Sequence, residues 1–329
     1  MQPQFKILAN QTDITQSIQQ RLISIRITDE SGIKGDTLDI QLDDEPPIEW
    51  PRHGAELEVF VGFNKITNDL NNNAGLVRQG LYIVDEIAHS GPPNTLTLRG
   101  KASNLKQSLK QPKTRSWDGM TLGDLVNAIA QEHRMSAKVG ETLKDQAIPH
   151  VDQTDESDLH LLTRLAREVG AVVKPVAGFL VMVPQGEAKS VTGQSLPMIT
   201  TTADQIKQHH VTQTEVSQYD AVTTYWHDTQ TAKREAVQIG EGRVFMSRHT
   251  YADKASAVNA AKAKLHQFKR SSLQLSLTLI GNPNLMAEGK MNVTGLRSPI
   301  NGSWVIERVV HQIDDQGFTS RINAVPPKD

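Results

Sequence analysis

Eleven histidines and one dense run of carboxylates are the residues of this chain whose types could support chemistry. A metal centre needs imidazoles or carboxylates at spacings that bring them to one point. His209-His210 are adjacent, so in a strand they face opposite sides and cannot share an ion. His89 and His311 stand at strand ends, where a structural hydrogen bond is the simpler role. His133, His160, His227, His249 and His266 lack a carboxylate or second histidine at a recognised ligand spacing. The run Asp152-Gln153-Thr154-Asp155-Glu156-Ser157-Asp158 would need a turn glycine to hold calcium, and it has none. Spacing alone leaves a glycosidase-like carboxylate pair open. The run's position before a helix gives a simpler reading, because carboxylates and hydroxyls cap free N–H groups and complement the helix dipole. No Gly-x-Ser-x-Gly, His-Glu-x-x-His or phosphate-binding glycine loop occurs. The sequence therefore assigns no catalytic, cofactor-binding, metal or partner-binding residue, and predicts a protein that is not an enzyme.

Composition narrows the classes further. The chain has no cysteine, which excludes disulfides, thiolate zinc sites and cysteine nucleophiles. A net charge of -2 offers no basic surface for sequence-specific nucleic-acid binding. No apolar run approaches the roughly 18 residues that span a bilayer, so membrane insertion is not expected. The start, Met1-Gln2-Pro3-Gln4-Phe5-Lys6, carries no secretory signal.

At 329 residues the chain is long enough for two or three domains. Residues 1–105 read as strands: Leu22 to Ile27, Leu38 to Leu42, Leu57 to Val61, Leu81 to Val84 and Thr95 to Leu98 alternate at period two. Pro46-Pro47 and Pro51 break them, and Asn64 to Asn73 reads as a long polar hairpin loop. Such a pattern fits a small β-barrel or sandwich. Residues 106–200 change to α/β. Thr121 and Asp124 form a capping-box start to a helix with Leu122, Leu125, Val126 and Ile129 on one face. A second helix carries Leu159, Leu162, Leu165, Ala166 and Val169 and ends at Gly170, before a hairpin turning at Ala177-Gly178. In residues 201–329 strands return around one long helix at about 253–270. Asp253 is its N-cap, Val258, Ala261, Leu265 and Phe268 its apolar stripe, and Lys262, Lys264, Lys269 and Arg270 a solvated face.

The two strand-rich ends resemble each other. Gly80-Leu81-Tyr82-Ile83-Val84-Asp85-Glu86-Ile87-Ala88-His89 matches Gly302-Ser303-Trp304-Val305-Ile306-Glu307-Arg308-Val309-Val310-His311 in its glycine, aromatic, acidic and histidine offsets. Each run follows a Leu57- or Met291-centred strand, and each leads through a turn into a closing strand. The expected fold is α+β and β-rich, with two related small β-barrel domains bracketing an α/β domain.

The acidic run with Leu159, Leu162-Thr163-Arg164-Leu165-Ala166 and Gly170-Ala171 resembles the middle signature of the phage late control gene D proteins. So do Gly80 to Glu86 with Gly91-Pro92-Pro93, Ser116-Trp117-Asp118-Gly119-Met120-Thr121-Leu122, and Gly302 to His311 with Gly317-Phe318-Thr319. The likeness runs from about residue 20 to 325. Those proteins are baseplate hubs of contractile phage tails, similar to the hub half of type VI secretion VgrG proteins. The resemblance implies a homotrimeric symmetry adaptor that joins the hexameric tail tube to the trimeric spike, without a cofactor. It also implies contacts with the tape-measure protein and baseplate wedge proteins. The place of action is the virion tail baseplate, assembled in the bacterial host cytoplasm. The chain ends at Asp329, so the spike is expected as a separate polypeptide. The competing reading is a soluble barrel that binds glycan or oligonucleotide; such surfaces display aromatics among basic residues, and only 5% of this chain is aromatic. A cell-wall hydrolase ranks third.

Overall fold

The computed structural model describes residues 2–32, 35–64, 75–102, 107–176, 178–186, 198–214 and 219–327. The first strands are β1 (Pro3–Ala9), β2 (Thr12–Asp13), β3 (Leu22–Glu30), β4 (Thr37–Asp43), β5 (Glu56–Phe63), β6 (Val77–Ser90) and β7 (Thr95–Ala102), with α1 (Thr15–Gln19) between β2 and β3. They pair in the order β3-β4-β7-β6-β5-β1-β2. Period-two alternation decides which face is core: Leu38, Ile40 and Leu42 are buried, and Asp39 and Gln41 between them are not. Residues 65–74, most of the Asn-rich segment, lie outside the described residues, as does Ala177.

The middle of the chain builds β8 (Pro112–Thr121), α2 (Leu122–Glu132), β9 (Ser136–Val139), α3 (Glu141–Lys144), β10 (Ala147–Ser157), α4 (Asp158–Glu168), β11 (Ala171–Val176) and β12 (Phe179–Pro184). The capping box forms: Asp124 N donates to Thr121 Oγ1 at 3.1 Å, and Thr121 N donates back to Asp124 Oδ2 at 3.1 Å. Leu122, Leu125, Val126 and Ile129 of α2 share one core with Leu159, Leu162 and Leu165 of α4. β11 and β12 make the expected hairpin, and β9 joins β12 in parallel.

The acidic run is organised differently from its sequence reading. It is not a capping loop; it is the end of β10, which pairs antiparallel with β8 through a bulge between Gln153 and Glu156. Ser157 alone caps α4, accepting from His160 N at 3.3 Å. Asp158 begins the helix and is fully buried.

The last part holds β13 (Ile199–Thr202), β14 (Ile206–Gln213), β15 (Ala221–Asp228), β16 (Lys233–Gly240), β17 (Val244–Tyr251), α5 (Lys254–Ser271), β18 (Leu273–Ile280), β19 (Lys290–Thr294), β20 (Gly302–Asp314) and β21 (Gly317–Val325). Asp253 caps α5, as its position predicts, accepting from Ser256 N at 2.9 Å. β16-β15-β17 form a separate sheet against α5, inserted between β14 and β18, a subdivision not visible in the strand alternation.

The two strand-rich ends share one continuous sheet. β20 is 13 residues long, so its first half pairs with β19 and its second half with β3. One 13-stranded sheet therefore runs β14-β18-β21-β20-β3-β4-β7-β6-β5-β1-β2, with β13 and β19 branching from it, and no closed barrel forms among the described residues. The first core accordingly includes Ile313 and Phe318 from the far end of the chain. No described helix is long and apolar enough to cross a membrane.

Candidate assembly surfaces

The densest charge cluster centres on Asp158. Its carboxylate accepts from Lys113 Nζ at 2.6 Å, Arg115 at 2.7 Å, Gln153 Nε2 at 2.8 Å and lies 2.7 Å from His133 Nε2. Burial pushes this carboxyl up, but the bonds from Lys113, Gln153 and His133 and the Arg115 charge outweigh it, leaving the group at about 2. Glu132 approaches the same two cations. Among the described residues, Glu132, His133 and Asp158 are the one trio near enough to share an ion. Lys113 and Arg115 already occupy those carboxylate oxygens, so the cluster is an ion network that fastens β8 to α2 and α4, not a cation site. His133, read as lacking a carboxylate, has one across the fold. His160 also finds one, Glu156 at 2.8 Å, four residues back at the end of β10.

A second cluster joins three parts of the molecule. Lys174 Nζ on β11 lies 2.9 Å from Asp29 Oδ1 and 2.9 Å from Asp36 Oδ1. Asp29 Oδ2 accepts from Ala287 N at 2.8 Å. Burial and then the charge of Asp29 raise the Asp36 carboxyl to about 6, with Lys174 opposing both. This knot sits at the β3–β20 seam, beside the Arg308–Glu30 ion pair of 3.0 Å.

The seam joins two units with the same pairing scheme. β4 pairs β7, β7 pairs β6 and β6 pairs β5; likewise β18 pairs β21, β21 pairs β20 and β20 pairs β19. The irregularities coincide too. A bulge falls between Val84 and Glu86 of β6 and between Ile306 and Arg308 of β20. Another falls between Leu22 and Ser24 of β3 and between Ile206 and Gln208 of β14. A bulge inserts one residue at a defined place, so two coincident bulges are strong support for duplication.

The phage tail baseplate hub (GPD) family matches residues 78–317. A probable baseplate hub protein of Escherichia phage 186 is 30% identical, over 97% of this chain and 91% of that protein. The chain belongs to the phage tail baseplate hub family. It is a structural protein of the virion tail, the hub of a contractile tail's baseplate, and not an enzyme. The fold is similar to the 43 kDa tail protein of prophage MuSo2 from Shewanella oneidensis, with a TM-score of 0.70, 15% identity, and 99% and 98% of the two chains covered. It is also similar to the E. coli c3393 protein, a component of the type VI secretion system, with a TM-score of 0.56, 13% identity, and 94% and 74% covered.

For a hub the relevant chemistry is at sheet edges. β14 terminates the long sheet, and all but two of its residues are exposed. His209 and His210 lie on it, adjacent and both exposed. His89 and His311 do have structural bonds: His89 Nε2 is 3.3 Å from Asp44, and buried His311 meets Ser320 Oγ at 2.9 Å and Leu285 O at 3.2 Å. Between the middle part and β17 lies a cleft of about 380 Å³ lined by Arg164, Glu168, His249 and Tyr251. Burial raises both the Glu168 carboxyl and the Tyr251 phenol, the latter to about 12.

Proposed function

We propose that this hub acts as a homotrimeric symmetry adaptor between the hexameric tail tube and the trimeric spike. The duplicated pairing scheme with its coincident bulges carries the reading. A trimer of a single unit would offer three equivalent surfaces to a ring of six. Two similar units per chain, taken three times, offer six, and a closed ring must obey its symmetry operator. In this reading residues 1–105 and 201–329 are two related small β-barrel domains that alternate in a pseudo-sixfold ring. Residues 106–200 form an α/β domain outside it. The tube, the spike, the tape-measure protein and the baseplate wedge proteins are the partners. Cryo-electron microscopy of assembled tails is the test. Three hub chains per baseplate are expected, with their six strand-rich units alternating about the axis. Six chains, or units that do not superpose on one another, would exclude the adaptor role.

A further inference from the structure

We propose that the cleft between β10, α4 and β17 holds a lysine or arginine side chain presented on an extended segment of a partner protein. The inference goes beyond the adaptor reading and is independent of the number of hub chains in a baseplate.

The cleft suits a cation on an apolar stem. Its volume of about 380 Å³ falls within the range of about 300–1,000 Å³ typical of ligand sites. Ile148 of β10, with Leu165 and Val169 from α4 and its C-cap, gives it an apolar floor. Glu168 stands among them, three residues after Leu165 and so on the same side of the helix. His249 and Tyr251 line the β17 side, their rings 4.6 Å apart and edge to face. A methylene stem packs on such a floor while its charged head reaches a polar group, and aromatic rings attract a cation.

The charge balance names what is missing. Arg164, one turn before Glu168, is already engaged: Nε and Nη2 donate to Glu156 at 3.2 and 2.7 Å, and Nη2 to Asp152 O at 3.1 Å. Asp152 is engaged too, accepting from Ser116 Oγ at 2.7 Å and lying 3.3 Å from His150 Nε2. Glu168, half-buried, makes no hydrogen bond or ion pair with any described residue. Burial raises its carboxyl, and the charges of Arg164 and His249 oppose that rise without overcoming it. A carboxylate withdrawn from water is ordinarily paired, and an ammonium or guanidinium from outside completes this one.

The backbone decides between a free amine and a polypeptide. Residues 146–152 line the cleft in unbroken succession. Successive side chains of a strand point to opposite faces, so a run of neighbours is presented together only along an edge. β10 pairs with β8 on one side, and among the described residues no strand pairs with its other side. Such an edge accepts an added strand. A free amine would answer Glu168 and leave the edge unpaired; an extended segment answers both.

The probe is the peptide acetyl-Val-Thr-Lys-Thr-Val-amide, whose alternation puts lysine and both valines on one face. Calorimetric titration of the full-length hub at millimolar peptide should show binding, retained when arginine replaces the lysine. Norleucine in its place, with the stem but no charge, should weaken binding about tenfold or more. Glu168→Gln should abolish that difference; it removes no internal partner, so its melting temperature should not fall. N-methylation tests the edge without any variant of the hub. Methylating one alternate set of peptide amides should abolish binding, and methylating the other set should leave it. In assembled tails, amide exchange at residues 147–152 should be slower than in the isolated hub. Absent binding, or lysine and norleucine peptides that bind equally, would overturn the cation site. So would a Glu168→Gln hub that still separates the two peptides, or exchange unchanged by assembly. Lysine amide binding as tightly as the peptide, or both methylated sets behaving alike, would overturn the extended segment. Hub self-association that the lysine peptide disrupts would assign the cleft to a second copy and overturn the partner.

Discussion

Lys174 Nζ stands 2.9 Å from Asp29 Oδ1, so one cation on β11 is fixed to the strand that the far end of the chain joins. Both side chains are at most 26% exposed. Removing one partner from such a pair leaves an uncompensated charge, so Lys174→Met should cost about 3–5 kcal/mol. Urea unfolding of the two proteins measures it, and a loss below about 1 kcal/mol would show that water replaces the lysine.

The same knot makes a pH prediction. Burial and Asp29 hold the Asp36 carboxyl at about 6. As pH rises from the ordinary carboxylate range to about 6, the unfolded chain releases a proton that the native state keeps. This group therefore lowers stability across that window, and its effect is complete above it. Asp36→Asn should remove that component of the pH slope. Superimposable stability-against-pH curves for variant and wild type would contradict the assignment.

Asp158 predicts the opposite sign. Its carboxyl is held down at about 2, so its contribution is fully present near neutrality and fades as pH falls through the usual carboxylate range to about 2. Asp158→Asn should destabilise at pH 7 by about 3–5 kcal/mol, because Lys113 and Arg115 lose their buried counter-charge. Chelators should leave the melting temperature of the wild type unchanged, since those two cations fill the carboxylate oxygens. A shift of many degrees on chelation would mean that a metal displaces them.

How much of this was legible depends on distance along the chain. The helical stripe of α4 and the β6–β7 and β20–β21 hairpins were readable because their signals are local periodicity and turn residues. The Asp158 network was not, because Lys113 and Arg115 come from 45 and 43 residues away. The acidic run misled because carboxylates are poor strand formers in general. Here Glu156 lies opposite Lys113 in the ladder but is ion-paired to Arg164 and His160 of α4, a partnership that strand propensity does not register. The β3–β20 seam was invisible for another reason. Alternation marks which face of a strand is buried, and carries no information about which edge is paired.

The α4 stripe gives the packing test. Leu162 is 0% and Leu165 7% exposed within the core shared with α2. Leu162→Ala and Leu165→Ala should each cost about 2–5 kcal/mol, through lost transfer energy and the cavity left behind. Leu162→Ala should be the costlier, because its site is closed on all sides. Near-neutral unfolding midpoints for both would place the stripe against solvent or a partner.

His311 supplies the last prediction. Its ring is almost wholly buried, and burial outweighs the Leu285 carbonyl bond and the Asp29 charge to depress it to about 4. Above about pH 6.5, the ordinary histidine value, both folded and unfolded states hold it neutral and it has no pH effect. As pH falls from there to about 4, the unfolded chain takes up a proton that the native ring refuses. Stability is therefore lost across that window, at about 1.4 kcal/mol per pH unit at most. His311→Gln cannot titrate and retains a donor toward Leu285 O. Relative to this variant, the wild type should be the more stable near pH 7.5 and should lose that advantage progressively toward pH 4.5. The Asp36 slope runs the other way in both proteins, so it cancels in the difference. Guanidinium melts of both proteins at half-unit pH steps would resolve the trend, and parallel curves would show that the native ring accepts its proton after all.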